Sequence, residues 1–427
     1  MIQFKKYSKY KDSGVEWIGE IPEHWENKKI SHSFGKIQSG ITPSTNKEEY
    51  YENGKISWVT SGDLNDSKIV KTKKCISEKA LQEIPQLEIF PENCLLIAMI
   101  GATVGKVGIN TMSATSNQNC CVLQNPKKIN TDYLFYWFIG NRKSVITIAT
   151  GGAQAIMNQN LIKNLKVPSP NLLEQQQIAE FLDKQTKRID SEIEKNQKLI
   201  ELLKEKRQST INQAVTKGLD PSVPMKDSGI EWIGEIPEHW NSKRLKFSIL
   251  LRSDKSNYSN SLQYVGLENI TSKTGKLIDV NDDMSDSDAK LFEEKDILFG
   301  KLRPYLAKVW HAEFAGRCSS EFLVFKGIDY ESKFLSWLLL SDGVINNIDA
   351  STYGAKMPRA EWGFIANILL PILSINEQQQ IAEFLEKQTT KIDSLITKTE
   401  SQIEKLKEFR QSLISSAVTG KIDVSSA

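Results

Sequence analysis

The chain has 427 residues, of which 39% are hydrophobic and 25% are charged, and its formal net charge is +2 at pH 7. This length fits two domains of roughly 150 residues plus connecting structure, and the composition is that of a globular protein. Because no apolar run approaches the roughly 20 residues that span a bilayer, and no apolar segment follows the polar N-terminus, we expect a cytoplasmic protein that does not enter a membrane.

Metal and disulfide sites have little support in the sequence. The five cysteines form no Cys-x-x-Cys pair, and none of the four histidines has a second histidine three to five residues away. We therefore predict that the chain holds no metal and no disulfide framework.

Internal repetition is the strongest feature of the sequence. Residues 11–25 (KDSGVEWIGEIPEHW) return with one conservative change as residues 226–240 (KDSGIEWIGEIPEHW). A second block, which starts with EQQQIAEFL at Glu174, returns at Glu377. Such self-similarity reports the architecture directly. The variable segments between the blocks, 28–170 and 243–373, differ, so we expect one symmetric frame that binds two different targets.

The first variable segment contains short β-branched and aromatic runs that predict strands, at 56–60, 94–100, 104–109 and 120–123, and a short helix at 134–139. The second segment predicts strands at 296–299, 307–310 and 321–325, and a helix at 334–340. Each segment is therefore predicted to be a mixed α/β domain. In the preceding block, Trp17, Ile18, Ile21 and Trp25 are interpreted as packing residues that fasten the domain to a helix, and His24 and His239 are included in that packing.

Two long helices are predicted at 174–216 and 377–419, because these segments lack Gly and Pro and are rich in good helix formers. Apolar residues such as Ile178, Leu182 and Ile189 recur at three- and four-residue steps, which is typical of a seam between helices. Packing of each helix on its own domain is the alternative. Residues 217–225, with one Gly and two Pro, predict a linker.

A glycine-rich turn lies in the first variable segment, at residues 101–108 (GATVGKVG). Its spacing matches neither the phosphate-binding loop of nucleotide hydrolases nor the dinucleotide-binding turn. A tight turn between two strands, which presents Thr103 and Lys106 to a phosphate backbone, is the better interpretation.

Polar loops in both segments are candidate base-reading sites. The amides of residues 116–119 (SNQN) suit adenine, although a capped turn explains them equally well. Residues 301–305 (KLRPY) combine two cations with an aromatic ring, which suits phosphate and guanine, or form an ordinary surface loop. Residues 150–154 (TGGAQ) and 351–359 (STYGAKMPR) occupy equivalent late positions and are polar in both segments.

Together these features resemble the specificity (S) subunit of Type I restriction-modification systems over essentially the whole chain. The resemblance rests on the doubled DSGxEWIGEIPEHW start, the doubled EQQQIAEFL helix opening with its preceding prolines, and the AVT helix ends at Ala214 and Ala417. Residues 39–43 (SGITP) and 100–106 (IGATVGK) also resemble the recognition domains of that family.

The resemblance implies an α+β fold in which two mixed α/β target recognition domains are separated by two long antiparallel coiled-coil helices, as a pseudo-twofold internal repeat. The predicted division is a clasp and first recognition domain at 1–173, a spacer helix at 174–216, a linker at 217–225, a second clasp and recognition domain at 226–376, and a spacer helix with tail at 377–427.

The resemblance further implies that the chain reads double-stranded DNA with a bipartite target and binds two methyltransferase subunits, which restriction subunits can join. S-adenosylmethionine, ATP and Mg²⁺ are expected on those partners and no cofactor on this chain. The chain is expected to be non-catalytic, since it lacks an Asn/Asp-Pro-Pro-Tyr/Phe tetrapeptide and a glycine-rich methyl-donor loop. A single-chain DNA adenine methyltransferase with a recognition domain and a DNA-binding coiled-coil adaptor or repressor are the alternatives.

No catalytic residue is predicted. The predicted DNA contacts are Thr42, Ser44, Ser61, Thr103, Lys106, Asn117, Gln118, Asn119, Gln154 and Asn158 in the first domain, and Lys301, Arg303, Tyr305, Arg317, Tyr353, Lys356 and Arg359 in the second.

Overall fold

A computed structural model of the chain describes residues 4–149, 156–254, 262–278, 289–352 and 356–424. These residues form two compact units: unit 1 comprises Met1–Lys195 and Ser401–Ala427, and unit 2 comprises Asn196–Glu400. Each unit therefore contains a part of both long helices. None of the helices in the described ranges is long and apolar enough to cross a membrane.

The described residues of unit 1 form a mixed α/β domain with four sheets, ordered β4-β11-β8-β9-β6, β10-β5-β7, β1-β2 and β12-β3. Its strands are β1 (Tyr10–Asp12), β2 (Glu20–Pro22), β3 (Glu26–Lys29), β4 (Phe34–Ser39), β5 (Ile56–Val59), β6 (Ser67–Ile69), β7 (Lys74–Ile76), β8 (Leu95–Ala98), β9 (Val107–Asn110), β10 (Thr115–Ser116), β11 (Cys120–Pro126) and β12 (Lys166–Ser169). Its helices are α1 (Ile30–Ser33), α2 (Glu78–Glu83), α3 (Thr131–Ala149), α4 (Gln159–Asn164), the first part of α5 (Leu172–Lys217) and the last part of the second long helix, which ends at Val418.

The central sheet of unit 1 is buried on both faces, because side chains that alternate along its strands reach a different hydrophobic cluster on each face. Leu95 and Ile97 of β8 lie in one hydrophobic cluster with α3 and the long helices. Leu96 and Ala98 point to the opposite face, into a smaller cluster with Val59 of β5. The sheet is therefore a fixed platform whose strand ends carry the connecting loops.

Unit 2 repeats this arrangement, with sheets ordered β16-β22-β19-β20, β17-β21-β18, β13-β14 and β15-β23. Its strands are β13 (Met225–Ile230), β14 (Gly234–Pro237), β15 (Asn241–Arg244), β16 (Ile249–Arg252), β17 (Tyr264–Val265), β18 (Lys290–Phe292), β19 (Ile297–Gly300), β20 (Val309–His311), β21 (Gly316–Cys318), β22 (Phe322–Gly327) and β23 (Leu369–Ile372). Its helices are the last part of α5, α6 (Ser332–Leu339), α7 (Asp342–Ala350), α8 (Trp362–Ile365) and the first part of α9 (Ile375–Val418).

The predicted strands are confirmed, apart from shifts of one to three residues at their ends. The long helices each begin two residues earlier than predicted, at Leu172 and Ile375. The reason is a capping side chain ahead of each helix: Asn171 Oδ1 accepts from the Glu174 amide, and Ser374 Oγ accepts from the Glu377 amide. The predicted fold class, two mixed α/β domains with an internal repeat and two long helices, is confirmed.

Within each unit, the parts of α5 and α9 run antiparallel. In unit 1 the Tyr133 hydroxyl donates to the carbonyl of Pro168, just before α5, and to that of Val418, where α9 ends, while Arg410 further back on α9 pairs with Asp190 further along α5. In unit 2 Arg207 of α5 pairs with Asp393 of α9, while Gly218, just after α5, lies next to Glu377 near the start of α9.

The two interpretations of the apolar stripe on the long helices both hold. Ile178 and Leu182 of α5 are fully buried in a cluster that contains Phe138 of α3 as well as Ile414 of α9. The stripe therefore faces the other long helix and the α/β domain of its own unit.

The repeated tryptophan blocks fasten each domain to a long helix, as predicted, but His24 and His239 are not packed: their side chains are each 53% exposed. Trp25 is fully buried, and its indole Nε1 donates to Glu174 Oε1 of α5 at 2.9 Å, while His24 Nε2 lies 3.0 Å from Oε2. In unit 2 Trp240 Nε1 lies 2.9 Å from Glu377 Oε1 of α9. The sequence analysis did not identify the two acceptor carboxylates, Glu174 and Glu377. Their recurrence at the first position of both EQQQ blocks was the available signal.

Candidate nucleic-acid interface

At one end of the central sheet in unit 1, the ends of four strands lie side by side. The register pairs Ser39, the last residue of β4, with Cys121 near the start of β11, and pairs Cys120 with Ala98, the last residue of β8. The β8–β9 connection turns at the same end, since Ile97 pairs with Val107. We call residues 40–44, 61, 99–106, 117–119 and 158 the unit 1 loop edge.

Backbone hydrogen bonds tie these loops to one another. The Ile41 amide donates to Ser116 O at 2.8 Å, and the Asn117 amide donates to Val59 O at 2.9 Å. Gly40 is required by this close approach, because a Cβ atom there would lie 2.0 Å from Ser116 O. The predicted contacts Thr42, Ser44, Ser61, Thr103, Lys106, Asn117, Gln118, Asn119 and Asn158 therefore all belong to one surface.

Not all polar side chains of the unit 1 loop edge are available to a ligand. Asn117 is 9% exposed, and its Oδ1 accepts from the Asn119 amide at 3.2 Å, which is the capped-turn interpretation. Asn158 Oδ1 accepts from the Leu161 amide at 2.8 Å and caps α4. Gln118 is exposed and bonds to the Thr42 hydroxyl. Gln118 and Thr42 are thus better placed than Asn117 to meet a base.

The glycine-rich turn has the predicted form, a tight connection between β8 and β9. Gly101 and Gly105 have φ of 81° and 74°, the left-handed region that favours glycine. The Gly105 amide donates back to Ala98 O at 2.9 Å. Thr103 and Lys106 are half-exposed in this turn.

Two lysines that the sequence analysis missed lie beside this surface. The Lys73 amide donates to Asp63 Oδ1 at 3.2 Å, next to the turn at Ser61, and Lys74 begins β7 opposite Trp58. Both side chains are exposed. The lysine-rich sequence 71–74 (KTKK) was the available signal.

Unit 2 has a matching edge, formed by residues 301–306, 319–321 and 356–360, which we call the unit 2 loop edge. The Lys301 amide donates to Glu321 O at 3.0 Å, and the Arg303 amide donates to Pro358 O at 2.8 Å. Lys301 and Arg303 are half-exposed, while Tyr305 is 44% exposed. Lys356 is exposed, and the Arg359 side chain is 60% exposed. Five predicted contacts, four of them cationic, thus come together.

The β19–β20 connection of unit 2 follows the same backbone path as the glycine-rich turn of unit 1. Arg303 and Ala307 have φ of 51° and 46°, at the positions where unit 1 has Gly101 and Gly105. Gly300, the counterpart of Ala98, donates to Lys308 O at 2.8 Å, as Ala98 donates to Lys106 O at 2.8 Å. The two loop edges therefore share a frame and differ in their side chains.

The remaining predicted contact among the described residues, Arg317, is buried. Arg317 is 2% exposed, its Nε donates to Leu262 O at 3.2 Å, and its guanidinium lies over the Tyr264 ring. Its position inside unit 2 is that of a packing residue. Gln154 and Tyr353 lie outside the described residues.

Known proteins are similar to this chain in sequence and in fold. The chain matches the family described as "Type I restriction modification DNA specificity domain" over residues 22–203 and 229–405. It is 25% identical over 451 residues to the Type I restriction enzyme MjaVIII specificity subunit of Methanocaldococcus jannaschii, with 99% of this chain and 98% of that protein covered.

Two solved structures have a similar fold. One chain, from a study of "complex assembly and conformational transition of the type I R-M system", gives a TM-score of 0.72 at 13% identity and covers 93% of this chain and 98% of its own. The HsdS subunit from Thermoanaerobacter tengcongensis gives 0.58 at 13% identity and covers 94% and 98%. Since the family matches once in each half of the chain and over most of its length, the chain belongs to the Type I restriction-modification DNA specificity family.

Proposed function

We propose that this chain is the DNA-reading subunit of a Type I restriction-modification complex, in which each unit reads one half of a bipartite target. The observation that carries the proposal is the pair of loop edges. They share one backbone frame, but the turn presents Thr103 and Lys106 in unit 1 and Lys301, Arg303 and Tyr305 in unit 2. Direct reading of bases needs such side chains at groove-facing edges, and a different set for each sequence.

Two methyltransferase subunits are the proposed partners, and restriction subunits can join them. S-adenosylmethionine, ATP and Mg²⁺ belong to those partners in this proposal, and the chain works with them in the cytoplasm without a cofactor of its own. Its role is to place the partners on the DNA, not to catalyse methyl transfer or cleavage.

The test is a methylation assay with the purified chain, alone and with a candidate adenine methyltransferase subunit. We expect no transfer of labelled methyl groups by the chain alone and site-specific transfer by the mixture. Methylation by the chain alone would instead identify a single-chain methyltransferase. Sequence-specific DNA binding by the chain, with no methylation in the mixture, would support an adaptor or repressor.

Replacing Lys106 with alanine is expected to weaken binding to every DNA sequence by a similar factor. One phosphate contact fewer should lower the slope of log K against log salt by about one unit. The measurement is binding of the reconstituted complex to target and random duplexes between low and moderate salt.

Lys127 provides the matched control for Lys106. It is exposed and follows β11 at the opposite end of the strand from the loop edge. Its alanine variant should leave the salt slope unchanged. A loss of preference for particular bases in the Lys106 variant would contradict the assignment to phosphate.

A further inference from the structure

A carboxylate lies within the otherwise cationic unit 2 loop edge. Glu321 immediately precedes β22, and its backbone oxygen accepts from the Lys301 amide at 3.0 Å. Its side chain is 21% exposed, and Oε1 accepts from Arg359 Nη2 at 2.7 Å. The corresponding residue of unit 1 is Asn119, whose backbone oxygen accepts from the Met99 amide at 2.8 Å. An amide in one unit is thus replaced by a charge in the other.

The position of Glu321 opposes simple attraction to DNA. A carboxylate near phosphates weakens the binding of a polyanion, so its presence calls for a compensating role. Beneath it, Lys290 donates from Nζ to Phe322 O at 2.7 Å. Burial lowers the pKa of Lys290, whereas the charge of Glu321 acts in the opposite direction. Glu321 is thus one of several charges that act on the Lys290 ammonium.

The two oxygens of Glu321 have different surroundings. Oε2 is fully buried and has no hydrogen-bond partner among the described residues, whereas Oε1 reaches the surface and meets Arg359. A side chain that is largely buried on one side has little freedom to move. Glu321 can therefore hold the Arg359 guanidinium in one orientation.

Arg359 is placed beside the β19–β20 connection of unit 2. It forms an isolated antiparallel bridge with Leu302, and the preceding residue, Pro358, accepts from the Arg303 amide. The Glu321 pair uses one of the several N–H donors of the guanidinium, so the others stay available. Holding a long side chain in its bound orientation reduces the ordering that binding would otherwise require.

We propose that Glu321 is a positioning residue for base recognition, which orients the Arg359 guanidinium so that its remaining N–H groups read a guanine in the second half-site. The inference rests on the proposed function of the chain. Bidentate contact from arginine to guanine O6 and N7 is the commonest specific contact in the major groove. Asn119, at the same place in unit 1, carries no charge with which to orient an arginine in this way.

The experiment uses the full chain, co-expressed with the proposed partner methyltransferase in a host without adenine methylation, and maps methylated adenines over the host genome. Arg359→Ala should reduce the preference for guanine at one position of one half-site by about ten- to a hundredfold. Glu321→Gln should reduce it at the same position by roughly three- to thirtyfold, as expected for coupled neighbours. The double variant should equal Arg359→Ala. The other half-site should not change.

Asp329→Asn is the matched control for Glu321→Gln. Asp329 follows the same strand at its far end and pairs with Lys243 at 2.6 Å, so its amide variant removes a similar surface ion pair away from the loop edge. It should leave every base preference unchanged. Arg359→Lys, which retains the charge but not the planar fork, should lose the guanine preference while total methylation persists.

Two results would overturn the inference. In one, Glu321→Gln changes methylation of all sites equally and leaves the guanine preference intact. In the other, the double variant loses preference at a second position, so that Glu321 acts independently of Arg359. Failure of the proposed function is distinguishable, because the wild-type complex would then mark no specific site.

Discussion

Replacing Arg207 with alanine is expected to destabilise unit 2 by about 3 to 5 kcal/mol, the usual effect of removing one partner from a buried ion pair. The Arg207 and Asp393 side chains are 6% and 15% exposed, and Nε lies 3.0 Å from Oδ1. The guanidinium also donates to the carbonyls of Lys273 and Thr274 at 3.0 and 3.2 Å. Alanine leaves these acceptors without their donors. Because Lys276 remains 2.8 Å from Asp393, we expect the lower part of this range.

The internal repeat supplies the control for Arg207. Arg410 pairs with Asp190 at 2.8 and 3.1 Å in unit 1, but there the side chains are 26% and 51% exposed. Arg410→Ala should therefore cost at most about 1 kcal/mol. Urea unfolding of the full chain, with hydrogen exchange to assign each transition to a unit, measures both. Equal losses for the two variants would refute the argument from burial.

The parts of the fold that could be predicted from the sequence are those in which the local sequence pattern favours the same structure as the tertiary packing. The absence of Gly and Pro from 174–216 predicted the helix that spans Leu172–Lys217. The near-identity of the two tryptophan blocks predicted packing, because a buried indole such as Trp25 must meet the same neighbours in each unit. Short β-branched runs predicted β5, β8, β9 and β11 of unit 1 and β19, β20 and β22 of unit 2, but not the other strands.

Which segments of the chain form each unit could not be predicted in this way. Residues 401–427 belong to unit 1, although they are the last in the chain. Their place depends on contacts between residues distant in sequence, such as Tyr133 with Val418. No local pattern reports such a contact.

The roles of individual polar residues were equally hidden in the sequence. Arg317 and Arg359 are both arginines, yet Arg317 is 2% exposed whereas the side chain of Arg359 is 60% exposed. The counterpart of Gly101 is Arg303, and the two residue types give no indication of this equivalence. The equivalence emerges only from backbone dihedral angles and hydrogen bonds.

Replacing Arg303 is expected to remove one base preference from one half-site while leaving the other half-site unchanged. A bidentate arginine–guanine contact supplies a discrimination of about 1 to 3 kcal/mol, so the preference should fall by roughly five- to 150-fold in both Arg303→Ala and Arg303→Gly. Methylated adenines mapped for the complex of each variant report this preference. An equal loss of affinity for specific and random DNA would show that Arg303 contacts phosphate instead.

The same two variants should differ in stability, because Arg303 has φ of 51° and ψ of 63° and precedes Pro304. A residue with a Cβ atom in this left-handed region is strained by about 1 to 2 kcal/mol, and a following proline disfavours helical dihedral angles further. Alanine retains that strain and glycine removes it. We expect Arg303→Gly to be about 1 kcal/mol more stable than Arg303→Ala, once the greater freedom of glycine in the unfolded chain is included.

Ala307→Gly separates the backbone from the side chain in this prediction. Ala307 has φ of 46° in the same turn but carries only a methyl group, which is 3% exposed. Its glycine variant makes the turn as permissive as that of unit 1, yet leaves Arg303 in place. It should therefore keep the base preference that both Arg303 variants lose. If Ala307→Gly also loses the preference, the strained turn itself positions the reading residues, and the guanidinium of Arg303 is not the sole determinant.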